Sequence, residues 1–597
     1  MQQYDKNSLI GFVLMGIILI IFNMFFFSED NKNNIEQENV KHVINNEEVN
    51  YQKKLEEDVL IATSKTSDTS LKLIPIKEEH YTLENERIKL NFSNKGGRIT
   101  SAILKDYKTY DGNELKLFDA DSSIFNLTFT TGETINTKDL IFEMYNQTED
   151  EISMRLYIQN QEQYIEFTYK LHHDYLIDFD INLVKLNNLI PSSINYMNLD
   201  WGMKTPQTEK SKSNQDMYTG IYYQYKADQE IDYLSLNKSD EEIIQSKVNW
   251  VAFKQQFFSS IIISRNGFQK PTELKSEVNE NSNYIKDLHA KFDLPFLHKN
   301  NEQLNFQFYF GPNHYKTLKS YNAGYEEIIP LGWTLFRWVN KYIIINIFDF
   351  LSKYFTNYGI IILLLTIIIK LALSPFTYKA YLSQAKMKVL KPEIEKITNK
   401  QKDKDPLKAQ QATMDLYRKA GVNPMGGCLP MLLQFPILIA MFRFFPASIE
   451  LRQKSFLWAE DLSSYDSILE LGFEIPFYGD HVSLFTLLMT ISTILYTKMN
   501  SQQMTGQMAQ MKWMMYLMPI MFLGFFNNYA AGLSYYYFLA NMITFGQQVL
   551  MKRFLINEDA IFAELEANKK KPRKKSRFQK KIEELQKEQE RRMKNRR

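Results

Sequence analysis

The spacing of apolar positions between about Tyr81 and Tyr325 has a period of two. In the clearest stretch the apolar residues are Ile152, Met154, Leu156 and Ile158. Similar stretches are Tyr164–Lys170, Phe179–Leu183 and Phe306–Phe310. Alternation of this kind is typical of antiparallel strands with one buried and one exposed face. We therefore predict a large β-sandwich over residues 81–325.

From residue 357 onward the pattern changes to long apolar runs separated by charged loops. Runs of this length predict helices that cross a hydrocarbon layer about 30 Å thick. The five runs are Gly359–Phe376, Leu429–Phe445, Val482–Tyr496, Trp513–Phe526 and Leu533–Leu550. We assign residues 357–552 to a membrane unit with five transmembrane helices.

A sixth apolar run lies near the N-terminus. Leu9–Phe27 has nineteen residues without a charge. A cleaved signal peptide is the alternative, but the run is longer than a usual signal core, and no small-x-small cleavage site follows it. We predict an uncleaved anchor over residues 1–27 and a flexible tether over the polar residues 28–80. The chain then has six spans.

The segment Leu331–Phe355 is apolar and aromatic but contains several charged residues, which are Arg337, Lys341, Asp349 and Lys353. These are too many charges for a transmembrane helix. We predict an amphipathic helix over residues 331–355 that lies in the membrane interface.

Loop charges predict the orientation of the spans. The loop Thr377–Cys428 has eleven Lys or Arg and five acids, whereas Ala447–His481 has two and seven. Basic loops stay in the cytoplasm, so the first loop lies inside and the second outside. Both termini are then cytoplasmic, and the β domain lies outside, in the periplasm if the cell has two membranes. Cys428 is the single cysteine, so no intrachain disulfide stabilises that domain.

Two cytoplasmic segments could contact partners. Residues 377–428 predict a helical hairpin, which is either a solvated connector or a docking site. The tail, residues 553–597, ends in Lys569–Arg597, where fifteen basic residues stand against four acids. This charge could bind ribosomal RNA phosphates or anionic lipid headgroups, or it could act only as a topology signal.

One lysine lies inside an apolar run and requires an explanation. A charged residue at the centre of a span costs about 2.5–3.5 kcal/mol. The ammonium of Lys370 could reach the headgroups by snorkelling. Alternatively, Thr366, Lys370 and Ser374 form a polar stripe on one helical face that lines a hydrated cavity. Gln434, Asn541 and Thr544 add polar groups from other spans.

The sequence offers no support for catalysis. It lacks a Ser-His-Asp set, an HExxH motif and a Walker loop near the spans. The neighbouring His172 and His173 point to opposite faces of a strand and do not predict a metal site. The spans also lack the paired carboxylates of an ion-coupled carrier. We expect no enzyme activity, no cofactor and no metal, and a cavity suited to polar segments of a polypeptide.

The segment Gly421–Ile437, with the sequence GVNPMGGCLPMLLQFPI, closely resembles the YidC family of bacterial membrane protein insertases. The resemblance extends through Ile449–Arg452 and Gly532–Gln548 and covers about Leu331–Lys552. It implies a polytopic α-helical membrane protein with six transmembrane helices. Five of them form an insertase core with a groove open to the cytoplasm and to lipid, and the periplasmic domain is a large β-sandwich of the sugar-binding type.

The resemblance also implies functional residues and partners. Lys370 stands where the family usually has a groove arginine, and Thr366 and Tyr537 stand at substrate-contacting positions, with Gln434 and Tyr536 nearby. The implied partners are nascent membrane proteins, the Sec translocon, membrane lipids and, through the basic tail, the ribosome. Two alternatives stay open, a small-solute transporter or lipid-handling protein that uses the same groove, and a scaffold built around the β domain.

Overall fold

The computed structural model describes residues 77–278, 283–401, 406–423, 429–501 and 512–570. The chain divides into two compact units, Met1–Ile328 and Ile329–Arg597. The predicted anchor, most of the predicted tether, and the part of the tail after Lys570 lie outside the described residues.

The first unit consists mainly of nineteen described strands. They are β1 His80–Glu84, β2 Ile88–Ser93, β3 Arg98–Lys108, β4 Glu114–Lys116, β5 Ser123–Thr130, β6 Thr134–Asn136, β7 Glu143–Gln147, β8 Glu151–Tyr157, β9 Tyr164–Leu171, β10 Leu176–Val184, β11 Tyr196–Pro206, β12 Gly220–Tyr225, β13 Ile231–Tyr233, β14 Asp240–Ile244, β15 Val248–Lys254, β16 Phe258–Phe268, β17 Thr272–Val278, β18 Tyr284–Pro295 and β19 Asn301–Pro312. Two short helices are α1 Lys212–Tyr218 and α2 Tyr315–Ser320.

These strands form three antiparallel sheets. The largest has nine strands in the order β13-β12-β15-β16-β19-β10-β9-β8-β7, the second has six in the order β14-β17-β18-β11-β5-β6, and the third contains β1 to β4. The alternating stretches predicted from sequence are strands β8, β9, β10 and β19, so those predictions are confirmed.

Aromatic rings join the two larger sheets face to face. Phe125 on β5 contacts Phe179 on β10 with ring centroids 5.5 Å apart. Trp201 on β11 stacks on Phe253 of β15 at 3.9 Å. Because the apolar residues alternate along each strand, one face of each sheet enters this core and the other carries polar groups. The unit is a β-sandwich.

Two lysines are buried in the sandwich near the end of α1. Lys254 Nζ donates a hydrogen bond to the Tyr218 carbonyl at 2.7 Å. Lys286 Nζ donates to three carbonyls, including that of Thr219 at 2.8 Å, and forms an ion pair with Asp216 at 3.2 Å. Burial and the nearby Lys286 charge lower the pKa of Lys254 to about 7.

The second unit is mainly helical. Its described helices are α3 Thr334–Val339, α4 Ile345–Ser352, α5 Tyr358–Gln401, α6 Pro406–Ala420, α7 Leu429–Ala447, α8 Leu484–Ser501, α9 Lys512–Asn527, α10 Ala531–Phe554 and α11 Glu558–Lys569. A π-helical turn, Asn340–Ile344, joins α3 to α4, so the predicted amphipathic segment is helical.

Four of the five apolar runs lie within helices, whereas the run Val482–Tyr496 begins two residues before α8 and enters that helix at Leu484. Among the described residues, one helical segment, Tyr358–Ile397, is long and apolar enough to cross a membrane by length and composition. Shorter apolar helical segments are Gln434–Ala447, Leu484–Met499 and Trp513–Asn527. The sequence predicted a span that ends near Phe376, whereas α5 continues without interruption through Pro375 and Pro392 to Gln401.

The far end of α5 packs in a small apolar cluster with α6 and α11. The buried members are Ala385, Leu390, Ile394, Ala420, Val422, Ile561 and Leu565. Lys386 and Lys388 of α5 form ion pairs with Glu564 and Glu558 of α11 at 2.8 and 2.7 Å. The Lys388 ammonium lowers the pKa of Glu558. The first part of the predicted tail is therefore a helix that docks on α5 and α6, the two helices of the predicted helical hairpin. Its composition did not indicate this helix.

The loop after α7 contains an unpredicted β-hairpin. Strand β20, Leu469–Ile475, pairs with β21, Gly479–Val482, in antiparallel fashion. The alternation in the sequence LELGFEI could have predicted this strand.

Candidate functional site

Helix α10 contacts both α5 and α8, and polar side chains occur along its length. Ser534 Oγ lies 3.0 Å from Thr486 Oγ1 of α8. Further along, Asn541 contacts α8 and Thr544 contacts α5. The helix therefore forms the centre of a polar seam through an otherwise apolar bundle. We define the polar seam as Lys370, Ser492, Thr493, Asn541, Thr544 and Gln547.

Lys370 is the single described cation of this seam. Its side chain leaves α5 towards α10, where the ammonium donates a hydrogen bond to Thr544 Oγ1 at 2.9 Å. Lys370 is 5% exposed and forms no ion pair with any Asp or Glu that the structure describes. The side chain is therefore directed into the bundle between α5 and α10. A hydrated cavity along the polar stripe stays a prediction.

Gln547 lies beside the lysine. Its amide Nε2 donates to the Lys370 carbonyl at 3.2 Å, whereas its Oε1 is buried and accepts no hydrogen bond from the described part of the chain. Thr490 Oγ1 on α8 is likewise buried and has no hydrogen-bond partner in the described part of the chain. Buried polar atoms are usually paired, so both retain capacity for a hydrogen bond to a partner outside the chain.

Asn541 connects α10 to α8. Its Nδ2 donates to Ser492 Oγ at 3.0 Å and to Thr493 Oγ1 at 2.9 Å. The sequence analysis singled out Asn541 but missed both partners. A signal was present, since Thr486, Thr490, Thr493 and Thr497 recur at spacings of four, three and four, which places them on one face of α8.

The predicted residues Thr366, Ser374 and Gln434 lie on α5 and α7, outside these contacts. Thr366 is buried one turn before Lys370, and its hydroxyl donates to the Ile362 carbonyl at 2.6 Å. Ser374 and Gln434 are half-buried. In the described residues, no hydrogen bond joins either of them to Lys370.

The two tyrosines form an aromatic group at the start of α10. Tyr536 is buried against Phe445 of α7 with centroids 5.9 Å apart. Tyr537 is half-buried and contacts Tyr536 at 5.6 Å and Phe526 of α9 at 6.0 Å. The tyrosines therefore lie where α7, α9 and α10 meet, and no described contact joins them to Lys370.

A hydrogen-bonded network closes the bundle at the first turn of α8. The buried Asp466 accepts hydrogen bonds from Trp458 Nε1 at 2.8 Å, from Ser483 Oγ at 2.5 Å and from the Phe485 amide at 3.1 Å. Asn527, at the end of α9, accepts from the Ser483 amide at 2.9 Å. Such fully satisfied networks fix local geometry, so this end of the bundle is rigid.

The arrangement provides charge and hydrogen-bonding groups but no described nucleophile–base pair. Among the described residues no cluster of His, Cys, Asp or Glu could hold a metal ion. In the β domain His172 lies 2.9 Å from Asp178 in an exposed pair. What the polar seam can do is stabilise polar or acidic groups within an apolar bundle.

Comparisons with known proteins agree with this architecture. The chain matches the family described as 60Kd inner membrane protein over residues 350–558 and the YidC periplasmic domain over residues 80–345. A relative from Parabacteroides distasonis, named Membrane protein insertase YidC, is 42% identical and covers 98% of both chains. The relative of that name from Bacteroides fragilis has the same identity and coverage.

Solved structures include one titled "Active YidC insertase crystal structure with the first transmembrane domain resolved". It is 20% identical to this chain, covers 81% of it and 93% of its own chain, and has a TM-score of 0.32.

Proposed function

The chain belongs to the YidC family of membrane protein insertases, and we propose that it passes the polar parts of its substrates along the seam around Lys370. It is an inner-membrane protein with a periplasmic β-sandwich domain. The observation that carries the proposal is a buried lysine, hydrogen-bonded across the bundle to Thr544 and unpaired with any described acid.

The mechanism follows from the cost of polar groups in lipid. A polar or acidic segment of a substrate loses its hydration when it enters the bilayer. The ammonium of Lys370 and the open acceptors of Gln547 and Thr490 replace part of that hydration. Meanwhile the apolar segment of the substrate leaves sideways into lipid, and its burial drives the step. The site residues of this proposal are Thr366, Lys370, Ser374, Gln434, Tyr536, Tyr537 and Asn541.

The proposed topology has six spans, with both termini in the cytoplasm. It follows from the loop charges and assigns the N-terminal anchor and helices α5, α7, α8, α9 and α10 to the membrane. The segment from α3 to α4 lies in the outer interface. The helical hairpin of residues 377–428 and the docked α11 then lie on the cytoplasmic side, where substrates arrive.

We propose nascent membrane proteins and lipids as the direct partners of the membrane unit. The Sec translocon is the proposed partner for larger substrates. The ribosome is the proposed partner of the basic tail, since phosphate contacts by clustered Lys and Arg bind nucleic acid with strong salt dependence. Insertion makes and breaks no covalent bond, so we assign no catalytic residue and no cofactor.

Photocrosslinking tests the path. A photoreactive amino acid at Ser374 or Tyr537 is expected to crosslink to a stalled nascent membrane protein on ribosomes. Leu371 and Leu550, on the same two helices but exposed on the apolar surface, are the matched controls. Adducts equal at all four positions would reject the path. Counterion-coupled solute uptake by the purified protein would instead favour a transporter.

A further inference from the structure

The hairpin formed by β20 and β21 has an apolar surface that no described part of the chain covers. Phe473 is 64% exposed and Phe477, at the turn, is 98% exposed. Leu469 and Ile475 are also exposed. Clusters of exposed large apolar side chains usually mark an interaction surface. The hairpin therefore has an unassigned partner.

Contacts to α9 fix the position of the hairpin turn. The Phe477 carbonyl oxygen lies so close to Gly524 that a Cβ there would be 2.3 Å away. The side-chain amides of Asn527 and Asn528 both donate to the Tyr478 carbonyl, at 3.0 and 3.1 Å. The turn is thus held against the last turn of α9. Because a helix rises 1.5 Å per residue, Gly524 lies only about 5 Å inside the end of α9.

The surface of α9 on either side of this contact is apolar and exposed. Its exposed residues are Trp513, Leu517, Met518, Ile520, Met521 and Phe525. In the proposed topology this is a lipid-facing surface whose C-terminal end lies at the outer leaflet. The hairpin turn contacts Gly524, next to the exposed Phe525, so the exposed apolar side chains of the hairpin lie beside this end of α9.

The charge of the hairpin restricts the kind of partner. Between Ser467 and Val482 the sequence contains Glu470, Glu474 and Asp480 but no Lys or Arg. Attraction to anionic headgroups or to nucleic acid is therefore excluded as the driving force. Burial of aromatic and aliphatic side chains among acyl chains remains.

We propose that the β20–β21 hairpin is a lipid anchor, with Phe473, Ile475 and Phe477 inserted into the outer leaflet beside the end of α9. The anchor rests on the proposed orientation of α9. It holds the outer end of that helix at a fixed depth while substrates move along the seam. Gly524 is the residue that permits the contact, since a side chain at this position would displace the hairpin from the helix.

Spin-label accessibility in the full-length protein tests the anchor. In a Cys428→Ser background, nitroxides are attached at Phe477→Cys and, independently, at Phe473→Cys, in nanodiscs of phosphatidylethanolamine and phosphatidylglycerol. Met518→Cys on α9 reports lipid, and the exposed Tyr110→Cys of the β domain reports water. Both hairpin labels are expected to be accessible to oxygen and protected from a water-soluble nickel complex, as at Met518.

Three results would overturn the anchor. Nickel accessibility at both hairpin positions equal to that at Tyr110, with Met518 in lipid, places the hairpin in water while α9 stays a span. Protection from both reagents indicates a protein surface over the hairpin. Nickel access at Met518 as well rejects the orientation of α9, and with it the anchor.

Discussion

At the scale of single residues, Lys370 combines burial with an uncompensated charge. Its hydrogen bond to Thr544 satisfies one donor and leaves the charge itself without a described counterion. A buried charge of this kind attracts acidic or polar groups that enter the bundle. In the proposed mechanism the positive charge of Lys370, more than the shape of its side chain, is the required property.

Substitutions at Lys370 separate charge from shape. We expect Lys370→Arg to retain insertion, and Lys370→Glu to lower the insertion rate of a small single-span substrate into proteoliposomes by about tenfold, equivalent to about 1.4 kcal/mol. Lys379→Glu, the same charge reversal at an exposed position of α5, is the control and should have little effect. Equal activity of the Arg and Glu variants at residue 370 would remove the charge from the mechanism.

Lys254 gives the β domain a pH-dependent stability. Its pKa in the folded domain is about 7, whereas an unfolded lysine has a pKa of about 10.4. Between these values the unfolded chain binds more protons, so the free energy of unfolding rises with pH from about 7 to 10. Below pH 7 Lys254 is charged in the folded domain, and the cost of burying this charge, on the order of a few kcal/mol, lowers the free energy of unfolding in full.

Lys254→Met should therefore stabilise the β domain at pH 7 and flatten the rise towards pH 10. Both effects are measured by urea unfolding of the full-length protein, with cleavage of the β domain by a protease as the readout of the unfolded fraction. The control is Lys275→Met, since Lys275 is exposed in an ion pair with Glu277 on the same domain. An unchanged pH profile in Lys254→Met would contradict the assignment.

At the scale of elements, close packing at the ends of helices limits which residues are tolerated. Gly359, at the start of α5, lies against Phe456, and a Cβ there would be 2.1 Å from the ring. The ring of Phe456 also contacts Tyr535 of α10 at 5.0 Å. The first turn of α5 is thus packed against α10 through this ring.

Gly359→Ala is expected to destabilise the membrane unit by about 1–3 kcal/mol because the ring of Phe456 must move. Gly546→Ala on α10 is a matched control, since no atom lies within 4 Å of the added methyl group. That change should be neutral or stabilise by up to about 1 kcal/mol through helix propensity. Thermal unfolding in detergent compares the two, and equal shifts would refute the packing argument.

Elements were more predictable from sequence than the contacts between them. The periodicity that predicted β8 and β19, and the apolar runs that predicted α7 and α9, are local properties of the chain. The partner of Lys370 lies 174 residues away, and no local pattern pairs the two. The sequence analysis named Thr544 as a polar group of its span, yet the contact itself depends on how α5 and α10 pack.

Two elements were missed for different physical reasons. Helix α11 has a mixed charge pattern, and only its docking on α5 buries Ile561 and Leu565. The β20–β21 hairpin alternates in sequence, but it lies in a loop that was interpreted only by its charge. Tertiary contacts stabilise both elements, so their composition was a weak signal.

At the scale of the whole membrane unit, the docked α11 attaches the start of the tail to the helical hairpin formed by α5 and α6. Leu565 is buried in the cluster with α5 and α6, and Lys569 forms an ion pair with Glu393 at 2.6 Å. Apolar contact and ion pairs both contribute. For partly exposed pairs the apolar contact is the larger contribution.

Leu565→Ala should release α11, since truncation of a buried leucine costs about 2–5 kcal/mol. We expect faster hydrogen exchange over Glu558–Lys569 and over the facing part of α5 in the full-length protein. Phe562→Ala, a truncation of an exposed side chain on the same helix, should leave exchange unchanged. Fast exchange of α11 in the unmodified protein would show that docking is not stable.

In the proposed topology, the docking of α11 also places two basic segments side by side in the cytoplasm, the helical hairpin of residues 377–428 and the tail after Lys570. Thirteen of the fifteen basic residues at the C-terminus follow Lys570, so their attachment point is set by the ion pair of Lys569 beside the hairpin. A polyanion bound by the basic tail meets the basic helical hairpin at an effective concentration of about millimolar, and the same holds in the other direction. Avidity would then govern recruitment of the polyanion more than the affinity of either segment alone. It would depend steeply on an intact and docked α11, the helix that connects Phe554 to the tail.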